Sequence, residues 1–589
     1  MGDYLVTAHD PGNEAGTVQS AALRRHAEAN GMTIRELNPN CWLGRWGARP
    51  VKLTTVGPWS LIGDVLDRRK PNLDDPPIFS PWSYEKKLFA RVWGRFVGLS
   101  FGPRGALTAV LRDPSGSLEC LTWNTGALTL VSSHVPPWLV TALRPDWRID
   151  FERVSAALHD PLLTSGMPLL TGLTSVLPGS LQPLPSGEPV VLWRPDWIAA
   201  RRNAASLPED AAAAMLCSAV EEAVEGFLGL SDNPAVEISG GLDSSLVAAS
   251  ARSESREQVR CWMNAYGPDR SADERHYVAD LAEHLSITPD YIARATGVVT
   301  PALLQSMPHG IRPALAGLDG LHDADWASRF RRAGVEAVLT GKGGDSLFIQ
   351  PANTLVYQDV WHSLGWRALG SPALPRLSRW TERSVWSLVS EAIRRPPPTR
   401  NQNALLRPLP SGDRAQHPWM TDIDHLAPGK VYQIAGLVNA LQFHGRSLQS
   451  EAVDVLHPLL AMPVVELCLS LSTPALTCGR RDRGLARLAF TDRLPKSILD
   501  RRSKGEMTAF YGHMIAGGLD VLRPWLLDGR LAEEGLIDRD RASVLLTPES
   551  LIWRGGYVEI MLTAAFEGWV RHWEAILSPS EAEFRPESR

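Results

Sequence analysis

The chain has little cysteine, little lysine and no apolar run long enough to cross a membrane. Its six cysteines, Cys41, Cys120, Cys217, Cys261, Cys468 and Cys478, are scattered over 589 residues with no C-x-x-C and no close pair. That excludes a disulfide framework or a thiolate metal cage, and reads as free thiols in a reducing compartment. Fifteen histidines include no H-E-x-x-H, so catalytic zinc has no support. The Walker pattern G-x-x-x-x-G-K-[ST] is missing too, since Gly341-Lys342 is followed by Gly343. The opening Met1-Gly2-Asp3-Tyr4-Leu5-Val6 lacks the basic and apolar regions of a signal peptide. No stretch reaches the roughly 18 apolar residues of a membrane span. These absences predict a soluble, cytoplasmic protein with no membrane partner. A formal net charge of −5 gives no electrostatic case for nucleic acid. Only eight of the 60 basic residues are lysines, so each lysine merits separate thought.

What is present is ordinary globular composition, 44% hydrophobic and 21% charged, in a chain too long for one core. Residues 96–101, 106–111, 118–123 and 128–132 alternate as strands do, separated by Gly-Pro-Arg-Gly and Asp-Pro-Ser-Gly turns. Past Trp193-Arg194-Pro195-Asp196 the texture becomes Ala- and Glu-rich with helical spacing over 211–228. We place a boundary at about residue 205, giving units 1–205 and 206–589. In the second unit, strands at 235–238, 259–263 and 335–340 each run into a loop and a helix. That alternation predicts a parallel sheet with ligands at the carboxyl ends of its strands. Residues 396–418 read as a mobile Pro-rich segment, and the tail from Ser578 as frayed.

The strongest chemical signal is Ser239-Gly240-Gly241-Leu242-Asp243-Ser244-Ser245, set between a strand and a helix. Glycines let the backbone approach an anion. Successive N–H groups, the Ser239, Ser244 and Ser245 hydroxyls and the helix N-terminus then surround a phosphate. Asp243 and Asp345 each end a strand, where Mg²⁺ on the phosphates would take one or two carboxylates plus phosphate oxygens and waters. Gly98-Leu99-Ser100-Phe101-Gly102 matches the hydrolase elbow G-x-S-x-G. A turn and another strand follow it rather than a helix, so that reading is set aside.

The Ser239–Ser245 loop resembles the pyrophosphate loop of the ATP pyrophosphatases, and further segments resemble the asparagine synthetase B type. Leu339-Thr340-Gly341-Lys342-Gly343-Gly344-Asp345-Ser346 is similar to that family's G-E-G-[GAS]-D-E loop. Asp273-Glu274 with Tyr277 is similar to D-E-x-x-Y, and Leu494-Pro495-Lys496-Ser497-Ile498 with Arg501, Arg502 and Lys504 to L-P-x-x-I…R-x-K. Val453-Asp454-Val455-Leu456-His457-Pro458-Leu459-Leu460 falls where the family has E-x-R-x-P-F-L-D. The resemblance implies an N-terminal αββα glutaminase-like domain of the Ntn type. It further implies a C-terminal parallel-sheet synthetase domain with a helical region, with ATP and Mg²⁺ as cofactors. Ser239, Gly240, Gly241, Asp243, Ser244, Ser245 and Gly341 would bind nucleotide, and Asp243 and Asp345 the metal. Lys504 would meet the charge that develops as AMP departs, and Asp454 is the candidate base.

Two departures matter. The family's glutaminase uses a cysteine directly after Met1, and here that position is Gly2, leaving no thiolate for glutamine hydrolysis. Lys342 stands where asparagine synthetases have Glu, and an ordinary lysine is protonated at neutral pH. It is read as a contact to phosphate or to the substrate carboxylate. The amine must then come from elsewhere, as in the β-lactam and carbapenam synthetases and the lasso-peptide cyclases. Length, a long unmatched helical region and 21 tryptophans make the chain most similar to a lasso cyclase. That resemblance implies a precursor peptide as substrate, macrolactam closure onto an Asp or Glu side chain, and a leader-peptide-processing protease as partner. The alternatives are a β-lactam-synthetase-like or ammonia-dependent ligase on a small molecule, and a non-catalytic peptide-binding scaffold. A deep groove between the two units is expected to hold the peptide.

Overall fold

The computed structural model describes all residues except 48, 70–81, 201–206, 255–258, 271, 351–353, 395–402, 410–414, 503–504, 506 and 579–589. The boundary expected near residue 205, most of the Pro-rich segment and the tail beyond Ser578 lie outside the described residues.

Among the described residues the N-terminal part forms two antiparallel sheets. The first runs Thr174–Ser175, Leu121–Thr125, Leu128–Ser132, Asp3–His9, Cys41–Trp46 and Thr33–Asn38; the second runs Val190–Val191, Ser180–Pro183, Leu107–Arg112, Val92–Phe101, Trp59–Asp67 and Leu53–Val56. Strand alternation sorts side chains to opposite faces. Tyr4, Val6 and Leu43 of the first sheet meet Ile62, Val97, Leu99 and Val110 of the second to form the inter-sheet core. Their neighbours along the strands, Leu5 and Trp42 in the first sheet and Leu61 and Phe96 in the second, face outward into two further clusters.

Those outer clusters are completed by the rest of the chain. Leu5, Trp42 and Trp123 pack with Trp569 and Trp573 of the helix Tyr557–Leu577, whose indole N–H groups both donate to the Gly310 carbonyl at 3.1 and 2.9 Å. Trp59, Trp93 and Phe96 pack with Leu216, Val220 and Phe227 of the helix Glu209–Leu228. Twelve of the 21 tryptophans are buried in this way, so the indoles serve mostly as core rather than lining a groove.

The second part holds the expected parallel sheet, in the order Pro289–Ala293, Cys261–Tyr266, Pro234–Glu237, Ala337–Leu339, Asp454–Leu456. Its three inner strands are mostly buried and apolar, as strands covered by helices on both faces require, whereas the edge strand Pro289–Ala293 is largely exposed. Val236 pairs with Trp262 on one side and Leu339 on the other, so the two glycine loops leave the same edge side by side. The helix expected over 211–228 becomes Glu209–Leu228, and those expected after the first two strands are Leu242–Glu254 and Arg275–Leu285. Alternation placed a strand over 118–123, but the observed strand starts at Leu121. Leu118 and Cys120 are buried in the approach to it.

Candidate active site

The Ser239–Ser245 loop follows the strand Pro234–Glu237 and enters the helix Leu242–Glu254. Gly240 has φ +71°, and a Cβ there would stand 2.9 Å from the Tyr277 Cβ, so glycine is required on both counts. The hydroxyls fix the loop's shape. The Ser239 N–H donates to Ser244 Oγ at 3.1 Å, Ser239 Oγ lies 2.9 Å from Ser244 Oγ, and Ser245 Oγ donates to the Gly241 carbonyl at 2.8 Å. Asn264 of the next strand donates to the Ile238 carbonyl at 2.8 Å and pins the entry.

The Thr340–Asp345 loop comes within backbone distance of this one. A Cβ at Gly341 would lie 2.4 Å from the Ser244 nitrogen, and one at Gly344 would lie 2.7 Å from the Asp243 Cγ. The glycines thus let two loops close on one spot and bring Asp243 towards Asp345. Arg483 measures that approach: its Nη1 is 2.8 Å from Asp243 Oδ2 and 3.5 Å from Asp345 Oδ1. Two carboxylates that can share one guanidinium can share a divalent cation whose remaining ligands are phosphate oxygens and water. The residues present therefore fit Mg²⁺.

Sequence reasoning did not single out Arg483. It sits in an arginine-rich stretch with no motif of its own, and only the fold delivers it between the two aspartates.

The D-E-x-x-Y element divides in two. Asp273 pairs with Arg275 at 2.7 Å on the surface. Glu274 and Tyr277 instead clamp Arg501, by an ion pair to Glu274 and by the guanidinium lying 4.0 Å from the Tyr277 ring centroid. Arg501 Nη1 then donates to the Gly240 carbonyl at 2.9 Å, tying residues 494–502 to the Ser239–Ser245 loop. Arg487 reinforces the tie through the carbonyls of Ile498 at 3.0 Å and Leu499 at 2.6 Å. Lys504 lies outside the described residues. Its neighbour Gly505 donates its N–H to Glu274.

Lys342 lines the same cavity as the two loops, with Nζ 5.5 Å from the Phe443 ring centroid. Beside it Thr340 Oγ1 is 2.8 Å from His457 Nδ1, and His457 Nε2 is 3.3 Å from the Phe443 carbonyl. Burial, with His444 and Lys342 nearby, holds the His457 imidazole neutral, its pKa well below the ordinary range. His457 was visible in Val453–Leu460 but carried no signal, because the motif leaves the position before its proline open.

Asp454 is placed differently from the base suggested by its motif position. It opens the strand Asp454–Leu456, two residues short of the carboxyl end, in register with Ala337. Its carboxylate is already committed: Arg95 Nη1 to Oδ1 at 2.8 Å, Arg49 Nε to Oδ2 at 2.8 Å, and the Met1 ammonium to Oδ1 at 2.6 Å. The two arginines also hold Asp64, Arg49 at 2.7 Å. Although burial alone would raise it, this cation cluster drives the Asp454 pKa well below the carboxylate range. A fully engaged, strongly acidic carboxylate is a poor acceptor for a substrate proton. Its observed work is to join the N-terminal sheets to the parallel sheet.

Two cavities bear on substrate. One of about 950 Å³ is lined by the Ser239–Ser245 loop, Gly341, Lys342, Asp345, the helix Ala373–Thr381 and residues of the 480–502 stretch. It is built wholly from residues 237–502, within the second unit. A smaller one of about 270 Å³ lies where the N-terminal sheets meet residues 443–455. Gly2 lines it, and a Cβ at Gly2 would stand 2.3 Å from the Trp46 carbonyl oxygen. There is no thiol at this position, and no space for one.

Two facing glycine loops and two carboxylates at the carboxyl edge of a parallel sheet define an α/β protein with a candidate ligand site at that edge. A model of the asparagine synthase family matches residues 215–571, more than half of the chain, and the protein belongs to that family. The family's activity is ATP-dependent carbon–nitrogen ligation, usually with Mg²⁺. No curated protein matches the chain. Among the described residues no helix is long and apolar enough to cross a membrane.

Proposed function

We propose that this ligase closes a macrolactam in a peptide, as lasso-peptide cyclases do, using ATP and Mg²⁺ and releasing AMP and pyrophosphate. The observation that carries the reading is the pairing of an intact nucleotide site with a filled glutaminase position. Asp243 and Asp345 are held together by Arg483, while Gly2 admits no nucleophile. An amide ligase without its own ammonia source needs an amine from its substrate. The roughly 950 Å³ of the nucleotide cavity leaves room for a peptide segment beside ATP.

The loop Ser239–Ser245 holds the triphosphate through backbone N–H groups and hydroxyls, and Gly341 keeps the second loop close. Asp243 and Asp345 would hold Mg²⁺, which would supply charge neutralisation on the phosphates. An Asp or Glu side chain of the peptide attacks the α-phosphorus, forming an acyl adenylate with loss of pyrophosphate. The peptide's N-terminal amine then attacks the acyl carbon, giving the amide, AMP and a proton. Lys504 is assigned by motif position to the charge on the departing adenylate, and Lys342 to phosphate or substrate carboxylate. Removing one such electrostatic donor costs about 3–4 kcal/mol of barrier. Ordering about eight residues of ring costs on the order of 8–16 kcal/mol, so extensive peptide contacts are required. A leader-peptide-processing protease would deliver the substrate.

The test is mass spectrometry. Full-length protein, ATP and Mg²⁺ are incubated with linear peptides bearing an N-terminal glycine and an internal acid, and in parallel with aspartate plus ammonia. Loss of one water from a peptide, with AMP formed, supports the cyclase. Asparagine formation overturns it. Near-normal pyrophosphate release by Asp243→Ala removes the site assignment.

A further inference from the structure

The nucleotide cavity carries more positive charge than its nucleotide explains. Nine basic side chains line it against five carboxylates. A nucleoside triphosphate with about four negative charges and one Mg²⁺ offsets only about half of that excess. Five of the nine cations are engaged: Arg483 with the two aspartates, Arg487 and Arg481 with Asp482, Arg501 with Glu274 and Arg480 with Glu209. Among the described residues the other four, Lys342, Arg376, Arg379 and Arg502, have no ion-pair partner. Lys342 and Arg502 belong to the segments that carry Asp345 and Arg501, on the nucleotide side.

Arg376 and Arg379 come from a third element, the helix Ala373–Thr381. Three residues apart, they share one face of it. Leu374 and Leu377 are buried, so the helix is anchored while both arginines are exposed and line the cavity, with Trp380 beside them. Guanidinium groups grip carboxylates bidentately, and their fork is already partly organised.

We propose that Arg376 and Arg379 form a second anion subsite, which takes a carboxylate of an acid-rich peptide substrate other than the one activated. The inference rests on the ligase reading and names its substrate class: a peptide with at least two acidic groups, one adenylated and one held by this helix. Trp380 supplies an apolar wall against which the intervening residues lie.

The test uses full-length protein with Mg²⁺ and a non-hydrolysable ATP analogue. Two dye-labelled peptides of equal length are compared by fluorescence anisotropy, one with a single aspartate and one with three. The wild type is expected to prefer the three-aspartate probe by about tenfold, the scale of one charge-assisted pair. R376Q/R379Q is expected to lose that preference and R376K/R379K to keep part of it, both with unchanged affinity for the nucleotide. Equal affinity of the wild type for the two probes overturns the subsite, as does a preference that survives in R376Q/R379Q. Loss of nucleotide binding in R376Q/R379Q also overturns it, since the arginines would then belong to the triphosphate. Cyclisation is scored separately by mass. An unchanged peptide mass beside a preference that R376Q/R379Q abolishes removes the macrolactam reading and leaves the subsite standing.

Discussion

Adding one methyl group at Gly341 tests whether the two glycine loops form a single site. In the Gly341→Ala chain the new Cβ would lie 2.4 Å from the Ser244 nitrogen, 2.6 Å from its Cα and 2.8 Å from the Asp243 carbonyl carbon. Ordinary contact begins at about 3.5 Å, so the loops must part by roughly 1 Å. All three atoms are backbone at the start of the helix Leu242–Glu254, and no side-chain rotation relieves the clash. Overpacking of this kind costs about 1–3 kcal/mol of stability. The functional penalty is larger, because displacing reacting groups by about 1 Å costs on the order of a hundredfold in rate. Mg·ATP affinity by calorimetry and pyrophosphate release are measured for Gly341→Ala beside Gly370→Ala. At Gly370 a Cβ meets nothing within 4 Å, and that change is expected to be neutral. Wild-type nucleotide affinity and turnover in Gly341→Ala would refute the idea that the loops cooperate.

Other expectations follow from the same geometry. Gly2→Cys should lower the thermal midpoint and release no glutamate from glutamine, because the Cβ meets the carbonyl oxygens of Trp46 at 2.3 Å and Arg49 at 2.8 Å. Glutamate release from that variant would show the position to be functional. Arg95→Met leaves Asp64 and Asp454 to share Arg49, with the Met1 ammonium on Asp454, and should lower stability by chemical denaturation, less than the about 3–5 kcal/mol of a buried charge left with no partner. Acid should destabilise the fold: burial pushes His134 down to about 4 and His309, His417 and His444 to about 3. The unfolded chain takes up these protons near pH 6.5. Each histidine therefore removes up to about 1.4 kcal/mol per pH unit as pH falls from about 6.5 towards 4. Asp113 and Asp359, raised by burial to about 6, act in the opposite sense, protonating first in the folded state and adding stability as pH drops through 6. Four histidines outweigh two aspartates, so a melting midpoint that rises or stays level from pH 7 to pH 5 contradicts the burial argument.

What the sequence made legible was local. The placement of Ser239–Ser245 could be read because a strand, a glycine turn and a helix N-terminus succeed one another within a few residues. Gly98–Gly102 could be set aside for the same reason, since the strand Val92–Phe101 continues through Ser100. Asp454 was misleading because its partners Arg95 and Arg49 lie 359 and 405 residues earlier, beyond any spacing rule. Arg483 and His457 went unnoticed for a related reason: each acquires its role from a neighbour on another strand or loop. Between the two units lies a cavity of about 270 Å³, and the larger one, of about 950 Å³, lies within the second, a difference of size that no local spacing could reveal.

Those shared cores bear on how the protein could be divided. The segment that defines its family, residues 215–571, omits the arginines that neutralise Asp454 and the residues Trp59, Trp93 and Phe96 that cover the helix Glu209–Leu228. A chain trimmed to that segment would display a bare buried carboxylate and a stripe of exposed core. It is expected to aggregate when expressed alone and to be rescued by co-expression of residues 1–214. The unit by which the protein is recognised is therefore smaller than the unit that can stand by itself in water. A half that has no room for the glutaminase thiol is kept in place by what leans on it.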